Sequence, residues 1–236
     1  MAVVPVIAVD GPSGTGKGTV SARVAAALGW HLLDSGALYR AAAVAALAAG
    51  LDLEDGPAVA ALTLRADVRF SGRPGNGETA VLLDGRDITR MLRTEEAGTA
   101  ASRVAALPAV RAALLERQRA FRRAPGLVAD GRDMGTVVFP DAQAKFFLTA
   151  SPAERARRRY NQLIEKGLDV NLSKLTQDIV ERDRRDSERE IAPLAAAADA
   201  IVLDTTDLGI EAVLDRVFTH LDALGLGADT AVGPRP

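Results

Sequence analysis

The segment of residues 11–19 constrains this chain more than any other. It reads Gly-Pro-Ser-Gly-Thr-Gly-Lys-Gly-Thr, and it lies between an apolar run at residues 5–9 and a stretch with helical spacing of its apolar residues at 18–28. Glycines let backbone amides approach a phosphate closely, and the amino end of a helix offers unpaired N–H groups and a positive dipole end. A strand, a glycine-rich loop and a helix in this order predict a phosphate-binding loop.

Residues 17–19, at the end of the loop, indicate how the loop binds a nucleotide. Lys17 is placed to reach the β- and γ-phosphates of a nucleoside triphosphate. In the common pattern a Ser or Thr follows the lysine directly and holds Mg²⁺. Here Gly18 takes that place, so we expect the next hydroxyl, that of Thr19, near the metal. The loop thus predicts a phosphate donor site and leaves the acceptor open.

Apolar runs of strand length alternate with stretches of helical spacing along most of the chain. This alternation predicts an α/β fold with a doubly wound parallel sheet. The pattern changes at residues 66–92, where a turn-rich segment at 72–77 predicts a small antiparallel hairpin inserted between the second and third core strands. The predicted core strands are residues 5–9, 30–33, 126–130, 135–139, 144–148 and 200–203. The predicted helices are residues 18–28, 37–49, 55–64, 94–105, 108–123, 152–166, 172–190 and 210–224.

Composition excludes several classes of partner. The chain has no cysteine and only two histidines, which excludes disulfides and thiolate zinc sites. Its net charge of −2 argues against a nucleic acid polymer as a ligand. The apolar N-terminus lacks a basic flank and a cleavage site, and no stretch reaches the length of a spanning helix. We therefore expect a cytoplasmic protein without membrane partners.

Charged residues follow two of the predicted core strands. Ser35 and Arg40 come after the second strand, and Asp130, Arg132 and Asp133 come at the end of the third. Open α/β sheets bind ligands at the carboxyl ends of their strands. We expect Asp130 to hold Mg²⁺ through water, Arg132 to bind phosphate and Asp133 to accept hydrogen bonds. A solvated surface charge is the alternative for any single arginine.

Two later helices are rich in arginine. Arg155, Arg157, Arg158 and Arg159 lie on one of them, and a mobile arginine-rich lid that excludes water from a transferring phosphoryl group is the functional interpretation. A solvated helix face is the alternative. On the next helix, the segment 182–189 spaces two arginines and an aspartate along one predicted face, where a structural salt-bridge ladder is the alternative.

Five motifs taken together resemble the bacterial cytidylate kinases. They are the loop at residues 11–19, Leu-Asp-Ser-Gly-Ala-Leu-Tyr-Arg at 33–40, Ala-Asp-Gly-Arg-Asp-Met-Gly-Thr-Val-Val-Phe-Pro at 129–140, Glu-Arg-Asp-Arg-Arg-Asp at 181–186 and Ala-Pro-Leu at 192–194. The resemblance covers residues 6–221. It implies a three-layer P-loop nucleotide kinase fold with a parallel core sheet, an inserted monophosphate-binding subdomain with a small antiparallel sheet, and a short arginine-rich lid.

The same resemblance implies an activity and a set of site residues. The activity is transfer of the ATP γ-phosphate to CMP or dCMP with Mg²⁺. ATP would be bound by Gly11, Pro12, Ser13, Gly14, Thr15, Gly16, Lys17, Gly18 and Thr19. The monophosphate would be bound by Ser35, Tyr39, Arg40, Ser102, Arg111, Arg132, Asp133, Arg182, Asp186 and Arg189. The implied catalytic residues are Lys17, Arg132, Arg158 and Arg189, and the implied metal residues are Thr19 and Asp130.

One domain over residues 1–224 is expected, followed by a flexible tail at 225–236. Its core would comprise residues 1–36, 107–153 and 190–224, its insertion 37–106 and its lid 154–189. The resemblance also implies a monomer. Two alternatives keep the loop but change the function: a shikimate-type small-molecule kinase, which leaves the length of the insertion unexplained, and a nucleotide-switch module without catalysis, which leaves Lys17 and the arginine clusters unexplained.

Overall fold

A computed structural model describes residues 3–71, 80–165, 167 and 169–227. Within these residues, strands and helices alternate for most of the chain. The strands are β1 (Val6–Asp10), β2 (His31–Asp34), β3 (Val68–Ser71), β4 (Ala80–Leu83), β5 (Arg86–Asp87), β6 (Leu127–Gly131), β7 (Ala144–Thr149) and β8 (Ile201–Asp204). The helices are α1 (Lys17–Leu28), α2 (Ser35–Ala48), α3 (Gly56–Arg65), α4 (Glu95–Val104), α5 (Pro108–Arg119), α6 (Pro152–Ile164), α7 (Leu172–Ser187) and α8 (Ile210–Ala223).

Five parallel strands form the main sheet in the order β2-β6-β1-β7-β8. The central strand β1 is buried along its whole length, as its continuous apolar sequence predicts. In the register of the sheet, Asp34 of β2 lies opposite Asp130 of β6, and Asp130 lies opposite Val9 of β1. The acidic ends of three neighbouring strands therefore meet at one edge of the sheet, directly beside the glycine-rich loop.

Helices cover both faces of this sheet. Val6 and Ala8 of β1 pack with α2, α3, α4 and α5 on one face. Ile7 and Val9 of the same strand pack with α1 and α8 on the other. Successive side chains of a strand point to opposite faces, so one buried strand serves two cores. This helix–sheet–helix arrangement confirms the predicted three-layer α/β class.

The insertion lies between β2 and β6, the second and third strands of the main sheet along the chain, as expected. Its strands β3, β4 and β5 form the predicted antiparallel sheet, which packs against Ala41 and Val44 of α2. The predicted turn at 72–77 lies outside the described residues, as does all of the predicted tail beyond residue 227. No helix among the described residues is long and apolar enough to cross a membrane.

One predicted core strand is wrong. Residues 135–139 were expected to form a strand, but Met134–Val138 is a π-helical turn, with Phe139 N–H donating to the carbonyl oxygen of Met134 at 2.7 Å. Two predicted helices also end early. The helix expected to reach residue 123 ends at Arg119, and the one expected to reach residue 190 ends at Ser187. Arg189 therefore lies just beyond α7 and not on its face.

Candidate active site

The glycine-rich loop passes close to the carboxyl end of β7. Gly11 has a φ of +145°, and a Cβ at this position would lie 2.1 Å from the carbonyl oxygen of Leu148. Glycine is thus required here by both backbone conformation and space. Inside the loop, Thr15 Oγ1 donates to the Pro12 carbonyl at 3.2 Å, and Lys17 Nζ donates to the same oxygen at 3.4 Å. Since α1 begins at Lys17, its amino end faces the loop.

Lys17 and Asp130 form a buried pair behind the loop, with Nζ 3.9 Å from Oδ1. Burial raises the pKa of Asp130 to about 6, although the Lys17 charge opposes this rise. Burial, and after it the Arg132 charge, lowers the pKa of Lys17 to about 8. Asp130 Oδ1 has no hydrogen-bond partner among the described residues. A Cβ on Gly18 would lie 3.2 Å from Asp130 Oδ2, so a larger residue there would crowd the carboxylate.

A cavity of about 270 Å³ opens between the loop, the ends of β2 and β6, and helices α4, α5 and α7. Its lining contains every residue that the sequence analysis assigned to binding of the monophosphate. Its lining includes Lys17, Gly18, Ser35, Tyr39, Arg40, Ser102, Arg111, Asp130, Arg132, Asp133, Arg182, Asp186 and Arg189. These residues come from segments as far apart as 17 and 189 along the chain, and the fold brings them to one crevice. We call this the acceptor crevice.

Asp133 and Arg111 form a buried ion pair at the inner end of the acceptor crevice. Arg111 also lies over the ring of Tyr39, 5.8 Å from its centroid, and donates to the Ala105 carbonyl at 3.3 Å. Burial raises the pKa of Tyr39 to about 12, so its hydroxyl stays protonated. Cation–π contact and ion pairing together fix the Arg111 guanidinium. A carboxylate and an arginine therefore stand side by side, offering an acceptor and donors to a ligand.

Asp186 is the centre of a second polar cluster in the crevice. Its carboxylate lies 3.1 Å from Arg132 Nε and 3.9 Å from nitrogens of Arg182 and Arg189. Ser102 Oγ donates to it at 3.4 Å. Burial alone would raise the pKa of Asp186, but the three arginines lower it below the usual range. The excess of arginine over carboxylate leaves donor groups available to a phosphate.

A carboxylate that sequence reasoning missed lies at the end of β1. Asp10 accepts hydrogen bonds from the backbone N–H groups of Met134 and Gly135, both at 2.8 Å. Burial raises its pKa to about 7, against the effect of these two hydrogen bonds. The two hydrogen bonds hold the start of the turn that directly follows Arg132 and Asp133. Its place directly before Gly11 was the available signal.

A second cavity, of about 540 Å³, opens on the other side of the loop. It lies between Thr15 and Gly16, the start of α6, and the segment joining β8 to α8. We call it the donor-side cavity. Sequence reasoning missed the residues of that joining segment, which are Thr205, Thr206, Asp207, Leu208 and Gly209. Thr19, expected near a metal, is exposed on α1 and lines neither this cavity nor the acceptor crevice.

The four arginines of α6 have different environments. Arg158 lines the donor-side cavity, and its guanidinium donates to Thr205 Oγ1 at 3.1 Å and to the Thr15 carbonyl at 3.4 Å. Arg157 is exposed and pairs with Glu154, while Arg159 pairs with Glu95 of the insertion. Arg155 is buried. The helix is therefore neither a uniform solvated face nor a uniform phosphate-binding face.

Comparisons with known proteins identify the family. The cytidylate kinase family model matches residues 7–223. A cytidylate kinase of Pseudomonas aeruginosa strain UCBPP-PA14 is 58% identical over 222 residues, which are 94% of this chain and 97% of the relative. A cytidylate kinase of Methylococcus capsulatus is 61% identical over 212 residues, or 89% of this chain and 94% of the relative. With its three-layer fold, its phosphate loop and these relatives, the chain belongs to the cytidylate kinase family.

Proposed function

We propose that this protein transfers the γ-phosphate of ATP to CMP or dCMP, giving ADP and CDP or dCDP. The observation that carries the proposal is the acceptor crevice, in which one lysine and five arginines surround the space beside the phosphate loop. The chain's membership of the cytidylate kinase family supports CMP or dCMP as the acceptor. As the family resemblance implies, base, ribose and phosphate are each assigned their own group of side chains.

The cytosine base is assigned to the inner end of the crevice, with Asp133, Arg111 and Ser102. Cytosine presents an amino donor at N4 and acceptors at N3 and O2. A carboxylate complements the amino group, and a guanidinium complements the acceptors. Uracil reverses the pattern at N3 and O4, so its binding would leave buried polar groups unpaired. Arg182 and Asp186 are assigned to the ribose.

The phosphate groups are assigned to the residues between this base site and the loop. The monophosphate would be bound by Ser35, Arg40, Arg132 and Arg189. One of its oxygens is already ionised and can act as the nucleophile without a general base. That oxygen forms the new bond to the γ-phosphorus as the bond to the β-phosphate oxygen breaks, and ADP leaves. Lys17, Arg132, Arg158 and Arg189 would neutralise the charge on the oxygens during transfer. The donor-side cavity, next to Arg158, is assigned to the ATP base.

The donor set fits a magnesium ion bound mainly through phosphate and water. Asp130 presents a buried carboxylate oxygen without a partner among the described residues. No cluster of three or more His, Cys, Asp or Glu side chains that could hold a metal occurs in the part of the chain that the structure describes. Mg²⁺ is commonly held by one or two carboxylates together with substrate phosphates, which this site matches. Asp130 would hold it, and the ion would neutralise phosphate charge.

The decisive experiment is an ADP-release assay with CMP, dCMP, UMP and AMP as acceptors. We expect turnover with CMP or dCMP to exceed that with UMP and AMP. Faster turnover with UMP or AMP would contradict the assignment of the base. Absence of transfer to all four, with ATP still bound, would favour the small-molecule kinase or the switch module instead.

The remaining expectations are part of the same proposal. The kinase unit spans residues 1–224, with insertion 37–106 and lid 154–189, acts as a monomer in the cytoplasm, and is followed by a tail at 225–236. Because Leu226 packs against the core, removal of residues 228–236 only should leave turnover unchanged, and size-exclusion chromatography with light scattering reports the mass.

A further inference from the structure

Arg155 lies where the phosphate loop, α6 and α7 meet. It is 2% exposed, and its guanidinium contacts three separate parts of the chain. Nε donates to the Ala150 carbonyl at 2.9 Å, and Nη1 donates to the Ser13 carbonyl at 3.1 Å. Nη1 and Nη2 also donate to the two carboxylate oxygens of Asp183. All three nitrogens therefore donate to protein acceptors.

The stem of Arg155 supports the loop as well. A Cβ on Gly14 would lie only 3.0 Å from Arg155 Cβ, so the loop backbone packs directly on this side chain. The guanidinium then contacts Asp183 on α7. Asp183 directly follows Arg182 and lies about one helical turn before Asp186. Arg182 and Asp186 line the acceptor crevice. One side chain thus connects the donor loop to the helix that carries acceptor residues.

We infer that Arg155 is a positioning residue that sets the distance between the donor loop and α7. The inference rests on the proposed function, because it concerns the alignment of the two nucleotides. A planar guanidinium can donate in three directions at once from a fixed geometry, which a lysine ammonium on a flexible stem does not reproduce. Arg155 therefore acts through Ser13 and Asp183 and is not assigned to the phosphates.

This role predicts a particular kinetic signature. Phosphoryl transfer between two bound polyanions depends on their relative placement, and a small misalignment reduces the rate of the chemical step steeply. Each nucleotide would still meet its own complete set of side chains when Arg155 is changed. The loss should therefore appear in kcat, with the separate affinities for ATP and CMP largely retained.

The experiment compares Arg155→Lys, Asp183→Asn and the double variant with wild type. Arg184→Gln is the matched control, since Arg184 is exposed on the same turn of α7 and pairs with Glu181 and Glu188. We expect kcat to fall at least about tenfold in both single variants, while the dissociation constants of ATP and CMP, measured separately by calorimetry, change less than about threefold. The double variant should be no slower than the slower single variant, because both substitutions break one connection.

Three results would overturn the inference. The first is a kcat within about twofold of wild type in the Arg155→Lys enzyme. The second is multiplication of the two single losses in the double variant. The third is a large, selective loss of ATP affinity, which would indicate direct contact with the phosphates. Calorimetric binding of both nucleotides also shows that a variant is folded. If Arg155→Lys does not fold, Asp183→Asn still tests the connection, because it keeps the Arg155 side chain and changes only its partner. Wild-type inactivity toward CMP would instead refute the proposed function.

Discussion

At the scale of single residues, Asp133 tests how the acceptor is recognised. Replacing Asp133 with alanine should raise the KM for CMP about 50-fold or more and change the KM for ATP less than about threefold, because of the two substrates only CMP loses a partner, at its cytosine. Steady-state kinetics with each substrate varied measures both. The reason lies in the structure: Asp133 is buried beside Arg111 and lines the acceptor crevice but not the donor-side cavity.

The same substitution leaves Arg111 buried without its partner, which costs about 3–5 kcal/mol of stability. Asp133→Asn therefore accompanies it, as it keeps the shape while removing the charge. Asp141→Ala, at an exposed aspartate paired with Arg122, is the control and should leave both KM values unchanged. Equal losses for CMP and ATP would refute a role in base recognition.

The buried pair of Lys17 and Asp130 predicts a pH dependence. The pKa of Asp130 is raised to about 6 and that of Lys17 is lowered to about 8, both chiefly by burial. Since catalysis needs an ionised carboxylate and a charged lysine, kcat/KM for ATP should fall below pH about 6 and above pH about 8.

The Asp130→Asn variant distinguishes the ionisation of Asp130 and Lys17 from the ionisation of the substrates. The acid limb should disappear, and the alkaline limb should move to lower pH, because the charge of Asp130 raises the pKa of Lys17 more than that of Asp34 does. Exposed Asp215 on α8 offers a control, and Asp215→Asn should keep the wild-type profile. An acid limb that persists unchanged in Asp130→Asn would assign it to another group.

The placement of residues was predictable where chain order determines it and not where it depends on distant contacts. Ser35, Arg40, Asp130 and Arg132 follow strands, and parallel strands end at one edge, so their convergence could be expected. Arg155 stands among three other arginines in an ordinary charged helix. Its burial depends on Asp183 and the Ser13 carbonyl, which no local pattern brings next to it.

At the scale of elements, the π-helical turn shows the same limit. Residues 135–139 contain β-branched and aromatic side chains, which favour a strand. The backbone N–H groups of Met134 and Gly135 are instead taken by the carboxylate of Asp10, on a strand more than a hundred residues away. The Asp133 carbonyl then accepts from Val137 and Val138 and closes the turn. Tertiary hydrogen bonds override the local preference here.

The junction between β1 and the loop carries a prediction about stability. Gly11→Ala should lower the free energy of unfolding by more than about 3 kcal/mol, because the Cβ would lie 2.1 Å from a backbone oxygen that cannot move aside. Denaturation by urea measures the change. Gly29→Ala is the matched control: its φ is +65° and no atom lies within 4 Å of the added Cβ.

The two alanine variants differ in the clash and also in the backbone region, because a φ of +145° at Gly11 lies outside the left-handed helical region that Gly29 occupies. The control should lose about 1 kcal/mol, the usual cost of a non-glycine residue in the left-handed region. Similar losses in both variants would mean that backbone conformation alone makes glycine necessary at position 11, and that Leu148 does not restrict it.

At the scale of the whole molecule, the layer order followed from the alternation of apolar periods along the chain, and the insertion followed from the change of pattern at residues 66–92. The donor-side cavity could not be predicted from any sequence pattern. It is formed by the loop, the start of α6 and the segment before α8, and the last of these is a short polar connection without a motif. Packing of three distant segments creates the cavity, so only the assembled fold reveals it.

Charge is distributed unevenly over this molecule, and that has a kinetic consequence. The net charge is −2, yet the acceptor crevice is lined by six basic and four acidic side chains. Both substrates are polyanions that must approach a protein repelling them weakly overall and attracting them locally. Salt screens such interactions over about 10 Å at 0.1 M ionic strength. We therefore expect kcat/KM for CMP to fall several-fold between about 20 mM and about 200 mM KCl, with kcat nearly constant.

Two charge-removing variants locate the origin of this dependence. Arg40→Gln removes a positive charge from the lining of the acceptor crevice and should flatten the plot of log kcat/KM against log salt. Arg216→Gln removes one from the exposed surface of α8 and should keep the wild-type slope. Potassium acetate in place of chloride distinguishes screening from competition by a bound anion, because screening depends on ionic strength alone. Equal flattening by both variants would show that the protein's net charge, and not the crevice, attracts the acceptor.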